Sequence, residues 1–257
     1  MVHHRGKKET AMNRFFVDPA NVGEKSILID SKEDIKHLSK VLRLKAGDEI
    51  EISDGRQWEY TAVITEIDKD AVTADITDKQ TFAREPEIEV TLYQGIPKQA
   101  KMDSIVQKTV ELGVSRIVPV FMDRTVTVDK GNMGRKVQRW QKIAAESVKQ
   151  CKRGVIPEVE EPVDFDEAVR RMAESDLIVF PYENEKKRTI KYLLRIKKAP
   201  VAGNVAVIIG PEGGFSETEA EKIVAAGGEP VSLGKTILRT ETAGPATLAM
   251  IMYELEL

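Results

Sequence analysis

Val205-Ala206-Val207-Ile208-Ile209-Gly210-Pro211-Glu212-Gly213-Gly214-Phe215 joins five apolar residues to a turn with three glycines in five positions. A short, unbroken apolar run ended by turn residues is how a strand buried on both faces reads, and such strands belong to parallel sheets packed on both sides. Ser216 and Glu219 follow as an S-x-x-E capping box, so the turn is held between a strand and a helix. Ligands of open α/β sheets gather beyond the carboxyl ends of strands, where glycine admits a close backbone approach. The spacing matches neither a Walker loop, lacking G-K-[ST], nor G-x-G-x-x-G, which weakens a phosphate-loop hydrolase. On spacing alone, a tight turn ahead of a helix accounts for the stretch equally well.

Upstream of this stretch, strand-like and helix-like segments alternate from Ile88 onward, the pattern of a mostly parallel sheet covered on both sides. A strand is expected over Ile88 to Gly95. A helix is expected over Lys98 to Leu112, with Met102, Ile105, Val106 and Thr109 on one face and Gly113 at its end. Val114 to Val120 reads as a strand, and Arg135 to Lys152 as a helix burying Val137, Trp140, Ala144, Val148 and Cys151. Asp166 to Ala173, the strand Leu177 to Phe180, and Ile190 to Ile196 continue the alternation. Downstream, Ser232 to Thr242 forms a second polar corner after a strand-like segment from Glu229. The last helix is expected to begin around Ala243 to Pro245, with proline tolerated in its first turn. The corner sets Arg239, Thr240, Glu241 and Thr242 side by side, and an arginine beside a glutamate reads first as a structural ion pair.

Residues 12 to 84 have a different texture. Ile27 to Asp30 reads as a strand, and Ser31 can cap a helix through Arg43, with Ile35, Leu38, Val41 and Leu42 on one face. His37 reads as a packing residue of that helix rather than a base. Glu49 to Ser53, Gln57 to Ile67 and Ala71 to Thr77 alternate like strands, the first two joined by the hairpin pair Asp54-Gly55. Short strands around one helix suggest a small barrel, with a boundary near Arg84 to Glu87 and a second domain over 85 to 257. Met1 to Ala11 is polar and reads as a disordered extension, a remnant added to the native chain, or an over-long start ahead of Met12.

The chain has 257 residues, 41% of them hydrophobic, and one cysteine, Cys151. No disulfide or cysteine-built zinc site can form within the chain, no run is long and apolar enough for a membrane span, and a reducing, cytoplasmic setting fits. The net charge of −3 speaks against a nucleic-acid partner, but its distribution does not. Arg135 to Arg153 holds seven basic residues against the single acid Glu146, and Lys186 to Lys198 holds seven more with no acid. Solvated helix faces explain such clusters as readily as RNA does.

Taken in order, Asn13-Arg14-Phe15-Phe16, His37 to Arg43, Lys101-Met102 with Gln107-Lys108 and Glu111 to Gly113, Glu146 with Gln150-Cys151 and Arg153, Ile209 to Gly214, and Leu233-Gly234 with Ile237 to Thr242 resemble the bacterial ribosomal RNA small subunit methyltransferase E family. The resemblance spans residues 12 to 257. Where many relatives carry serine and glycine after Gln150, this chain has Cys151 and Lys152. The resemblance implies an α/β fold with an N-terminal PUA-like barrel, a C-terminal SPOUT domain with a trefoil knot, and a homodimer. It implies S-adenosylmethionine as cofactor and methylation of N3 of a uridine in 16S ribosomal RNA of the small subunit. It places the cofactor among Phe180, Pro181, Ile209, Gly210, Gly213, Gly214, Leu233, Gly234, Ile237, Leu238 and Thr242. Arg239 is the expected cation for the developing negative charge, with Glu241 or Glu212 as base or as a group orienting Arg239 or the loop. Arg14, Arg43, Lys98, Lys101, Gln150 and Arg153 are the expected RNA contacts, and no metal is implied. Alternatives are a SPOUT enzyme acting on a ribose 2′-hydroxyl or on transfer RNA, and a non-catalytic RNA-binding assembly factor.

Overall fold

The computed structural model describes residues 14–81, 85–126, 131–197 and 203–256; the expected N-terminal extension and Asn13 lie outside them. The chain divides into two units, the first running to Glu85 and taking in Lys152–Ile156, the second holding the rest. The expected single boundary near residue 84 therefore does not capture residues 152–156, which pack with the first unit although they follow a helix of the second.

In the first unit, β1 (Arg14–Phe16), β2 (Ser26–Ile29), β3 (Glu49–Ser53), β4 (Trp58–Ile67) and β5 (Val72–Thr81) form one sheet in the order β1-β3-β4-β5-β2. β1 and β3 are parallel and the other pairs antiparallel. Period-two alternation points Ile50, Ile52, Tyr60, Ala62 and Ile64 into a core with Phe15, Ile27 and Ile29. Gly55, at φ +69°, makes the β3–β4 turn. α1 (Lys32–Lys36) is capped by Ser31, whose hydroxyl accepts from the Asp34 N–H. The expected helix through Arg43 does not stay α-helical: His37–Val41 is a π-helical turn, and Arg43 stands in the left-handed region at φ +56°.

Two arginines hold this unit together. Arg14, its side chain only 5% exposed, pairs with Glu51 and Glu59 and donates to the carbonyls of Lys152 and Arg153 at 2.9 and 3.1 Å. Arg153 pairs with Glu85 at 2.8 Å, and the same carboxylate accepts from the N–H groups of Gly154 and Val155. These contacts, with the bond from the Ser53 hydroxyl to the Gly154 carbonyl, clamp 152–156 in place.

The second unit contains β6 (Glu89–Gly95), α2 (Lys101–Glu111), β7 (Arg116–Phe121), α3 (Met133–Cys151), β8 (Glu158–Val159), β9 (Val163–Asp164), α4 (Phe165–Met172), β10 (Leu177–Pro181), α5 (Ile190–Lys197), β11 (Asn204–Ile209), α6 (Glu217–Ala225), β12 (Gly228–Val231) and α7 (Thr240–Leu255). Its strands are all parallel in the order β12-β10-β11-β6-β7-β8, with β9 also on β7. Parallel pairing places every carboxyl end on one edge. α4 and α6 cover the face bearing Tyr93, Val118, Ile178, Phe180, Ala206 and Ile208. α7 lies against the other face, where Gly244 closely approaches Leu92, Gln94 and Ile209. α7 starts at Thr240, with Arg239 as N-cap, earlier than expected. Pro245 therefore sits inside the helix rather than in its first turn, where its missing N–H leaves the Glu241 carbonyl without a helical donor.

Candidate functional site

The carboxyl edge gathers the corners after β6, β7, β10, β11 and β12. Phe180 closes β10 and is fully buried, stacked on Tyr182 and edge-on to Phe215, so it supports the corner from beneath. After β11 the chain turns sharply: the Gly214 N–H donates to the Pro211 carbonyl and Gly214 takes φ +67°. A Cβ on Gly210 would lie 3.1 Å from Gly214 backbone and the Phe215 ring. A Cβ on Gly95 would meet Pro211 at 2.6 Å, so the β6 and β11 corners touch only because that position carries no side chain. Ser216 and Glu219 form the complete capping box, and Glu219 also accepts from the Asp123 N–H at 2.8 Å, binding the β7 corner to the same turn. Arg124 donates to the Gly213 carbonyl at 2.7 Å.

The β12 corner returns through Ser232, whose hydroxyl donates to the Gly234 carbonyl, and through Gly234 at φ +149°. Ile237 is 81% exposed, and Leu233 and Leu238 are half-buried. Leu233 and Ile237 lie with exposed Gly234 and Thr242 on this corner, Pro181 is half-buried on its own, and Ile209 is buried under Gly244. Apolar side chains left uncovered beside glycine backbone suit an adenosine, which needs apolar faces and main-chain hydrogen bonds, so the residues present fit S-adenosylmethionine.

The polar groups sort differently from the sequence expectation. Arg239 is exposed and pairs with no carboxylate among the described residues, so the expected arginine–glutamate ion pair is not formed. Glu212 is used structurally: it accepts from the Lys98 N–H at 3.1 and 3.3 Å and pairs with the Lys101 ammonium at 2.9 Å. Burial pushes its carboxyl up, but the bonds from Lys101 and from the backbone N–H groups of Glu212 and Lys98 outweigh this and hold it below the usual carboxylate range. The buried Oε2 of Glu241 lies 3.4 Å from the same ammonium and has no other partner among the described residues. The bond to Glu212 raises Lys101 above its ordinary value against the opposing effect of burial, with Glu241 adding to the rise.

Among the expected RNA contacts, Arg43, Lys98 and Gln150 are exposed. Arg14 and Arg153 are not available: both guanidinium groups are spent inside the first unit on carboxylates and carbonyls. Lys101 is likewise engaged. Sequence reading missed Gln94, which is completely buried and donates to the Thr240 hydroxyl at 3.0 Å; that hydroxyl donates to the Gly210 carbonyl at 2.7 Å. This relay ties β6, β11 and α7 together, and its signal was a lone amide in the apolar run Val90 to Gly95.

Residues 84–252 match the family model of an RNA methyltransferase domain, and residues 29–77 match that of an RNA methyltransferase PUA domain. The ribosomal RNA small subunit methyltransferase E of Bacillus subtilis is 30% identical over 96% of this chain and 98% of its own. A protein of the same name from Neisseria gonorrhoeae, solved bound to S-adenosyl methionine, superposes with a TM-score of 0.81 at 31% identity, covering 94% of this chain and 97% of that one. A methyltransferase of Legionella pneumophila solved with its bound cofactor SAM gives 0.80 at 32% over 94% and 97%. With the parallel sheet and its glycine corners, these likenesses over nearly the whole length place the chain in the ribosomal RNA small subunit methyltransferase E family of RNA methyltransferases.

Proposed function

We propose that this chain, a S-adenosylmethionine-dependent ribosomal RNA methyltransferase, places its methyl group on N3 of one uridine of 16S ribosomal RNA in the small subunit, acting in the cytoplasm. The observation that carries this reading is that one glycine-lined sheet edge bears an exposed cation, Arg239, that pairs with no carboxylate among the described residues, two positions before a half-buried carboxylate, Glu241. Leu233, Gly234, Ile237, Leu238 and Thr242 on one side, and Pro181, Gly210, Gly213 and Gly214 on the other, would hold the cofactor. When bound, S-adenosylmethionine supplies a methyl group on a sulfonium whose leaving group is a neutral thioether. Uridine N3 becomes a nucleophile only on losing its proton, and Glu241, its Oε2 held by the Lys101 ammonium, accepts that proton at Oε1. The negative charge then spread over N3 and its two flanking carbonyl oxygens is stabilised by the Arg239 guanidinium. Positioning supplies most of the remaining acceleration, because alkyl transfer from a sulfonium needs little covalent help.

The target base leaves its stack to reach this edge, and Arg43, Lys98, Gln150 and the exposed Arg135 of α3 grip the backbone. Replacing Lys98 and Arg135 with Gln is expected to lower the slope of log affinity against log salt by about one unit per contact; an unchanged slope assigns both to solvent. Tyr192 and Ile196 on α5 and Tyr253 on α7, all more than half exposed on two packed helices, are the face we assign to a homodimer. Sedimentation of a Tyr253→Glu variant as a dimer would remove that assignment. The position of β12 beyond β10, reached from β11, supports a trefoil knot, and the convergence of β1 and β2 side chains on one core supports a closed barrel. The decisive assay uses labelled cofactor on small subunits from cells lacking the enzyme, with the product mapped by mass spectrometry. Label on uridine N3 supports the reading; label on a ribose 2′-oxygen or on transfer RNA replaces it.

A further inference from the structure

We propose that Lys101 is a positioning residue for methyl transfer, its ammonium tying the corner after β11 to the first turn of α7, and that it is not an RNA phosphate contact. The inference rests on the methyl-transfer reading of this edge. Lys101 is the first residue of α2, and the chain reaches it through Gln99, a non-glycine residue in the left-handed region at φ +57°. Such a conformation is costly and persists where the surroundings over-determine it. Its effect here is convergence: the Lys98 N–H and the Lys101 ammonium both meet Glu212, at 3.1 and 2.9 Å. The ammonium then reaches Glu241 at 3.4 Å on a separate element.

Two features separate this arrangement from an ordinary surface lysine. Glu212 and Glu241 together carry one more charge than Lys101 cancels, so an approaching phosphate meets a locally negative group rather than a free cation. The two carboxylates are also held unequally. Glu212 is satisfied by an ammonium and a backbone N–H, whereas the buried Oε2 of Glu241 meets only the ammonium, at 3.4 Å, among the described residues. An ammonium has three donors and no preferred plane, so it can bridge two carboxylates on different elements without imposing a fork geometry on either. Lys101 thereby fixes the separation of the Gly210–Gly214 turn from the start of α7 and, by holding Oε2, the orientation of the Glu241 carboxylate.

The test compares Lys101→Met, Glu212→Gln, their double variant and Lys101→Arg, with Lys108→Met as a control for charge on the same helix. S-adenosylmethionine affinity is read by calorimetry, amide exchange at 210–214 and 240–242 by mass spectrometry, and RNA binding as a function of salt. Lys101→Met is expected to weaken cofactor binding roughly tenfold and to speed exchange at both segments, with the double variant no weaker than the single ones because the two groups act as one unit. Lys101→Arg is expected to restore only part of the loss, because its planar fork keeps the charge but not the free geometry of the bridge, and the salt slope for RNA to remain that of the unsubstituted chain. Cofactor affinity and exchange unchanged in Lys101→Met would overturn the inference alone. So would a slope lowered by about one unit, which returns Lys101 to the RNA contacts. Failure of the unsubstituted chain to bind S-adenosylmethionine would instead overturn the methyl-transfer reading and this inference with it.

Discussion

Replacing Arg239 with alanine is expected to lower the single-turnover rate of methylation by about 10²–10³-fold, the loss seen when one preorganised donor to a developing oxyanion is removed. Cofactor affinity should change little, because the Arg239 side chain is exposed at the N-cap of α7 and its removal leaves the Gln94–Thr240–Gly210 relay intact. No carboxylate is orphaned by the change, since none among the described residues pairs with this guanidinium. That asymmetry distinguishes a group acting in the transition state from one that shapes the cofactor slot: the former lowers the rate, the latter raises the dissociation constant. Rates on isolated subunits at saturating cofactor, with binding measured separately by calorimetry, check it. Full turnover in the variant would remove Arg239 from the mechanism.

Glu85→Ala is expected to destabilise the first unit by about 3–5 kcal/mol, the range for breaking a buried ion pair by deleting one partner. Arg153 is 7% exposed and Glu85 17%, and the lost carboxylate also leaves the N–H groups of Gly154 and Val155 without their acceptor. Adding Arg153→Met should recover much of the loss, because an apolar side chain of similar reach removes the uncompensated charge. Trp58 fluorescence during urea unfolding, in a Trp140→Phe background, follows this unit. A loss below about 1 kcal/mol would mean that the pair behaves as a surface contact. The same geometry has a functional corollary: Arg153→Ala should leave the salt slope of RNA binding unchanged, because the guanidinium faces Glu85 rather than a phosphate.

The parallel sheet was legible because its strands are short apolar runs between amphipathic helices, and hydrophobic period is a local property. The turn at Gly210–Gly214 and the Ser216–Glu219 box were legible for the same reason, since a cap is made by residues three apart. The start of α7 was misplaced because Pro245 suggests a first turn, whereas Thr240 is drawn into the helix by bonds to Gln94 and Gly210 far away in sequence. The π turn at His37–Val41 had no local sign, being a choice of register against a core.

What the amino-acid order determined by itself was the alternation that makes an α/β sheet, the glycine corners at its carboxyl edge and the residue types gathered there, all set by spacing along the chain. What only the folded chain decided was which charges are spent. Arg14, Arg153 and Lys101 read as cations open to RNA, and became internal clamps once Glu51, Glu59, Glu85, Glu212 and Glu241 were brought beside them. Arg239 read as half of an ion pair and pairs with no carboxylate among the described residues. The physical reason is that an ion pair depends on a few ångströms of through-space separation between distant residues, and side-chain type along a chain carries no such distance.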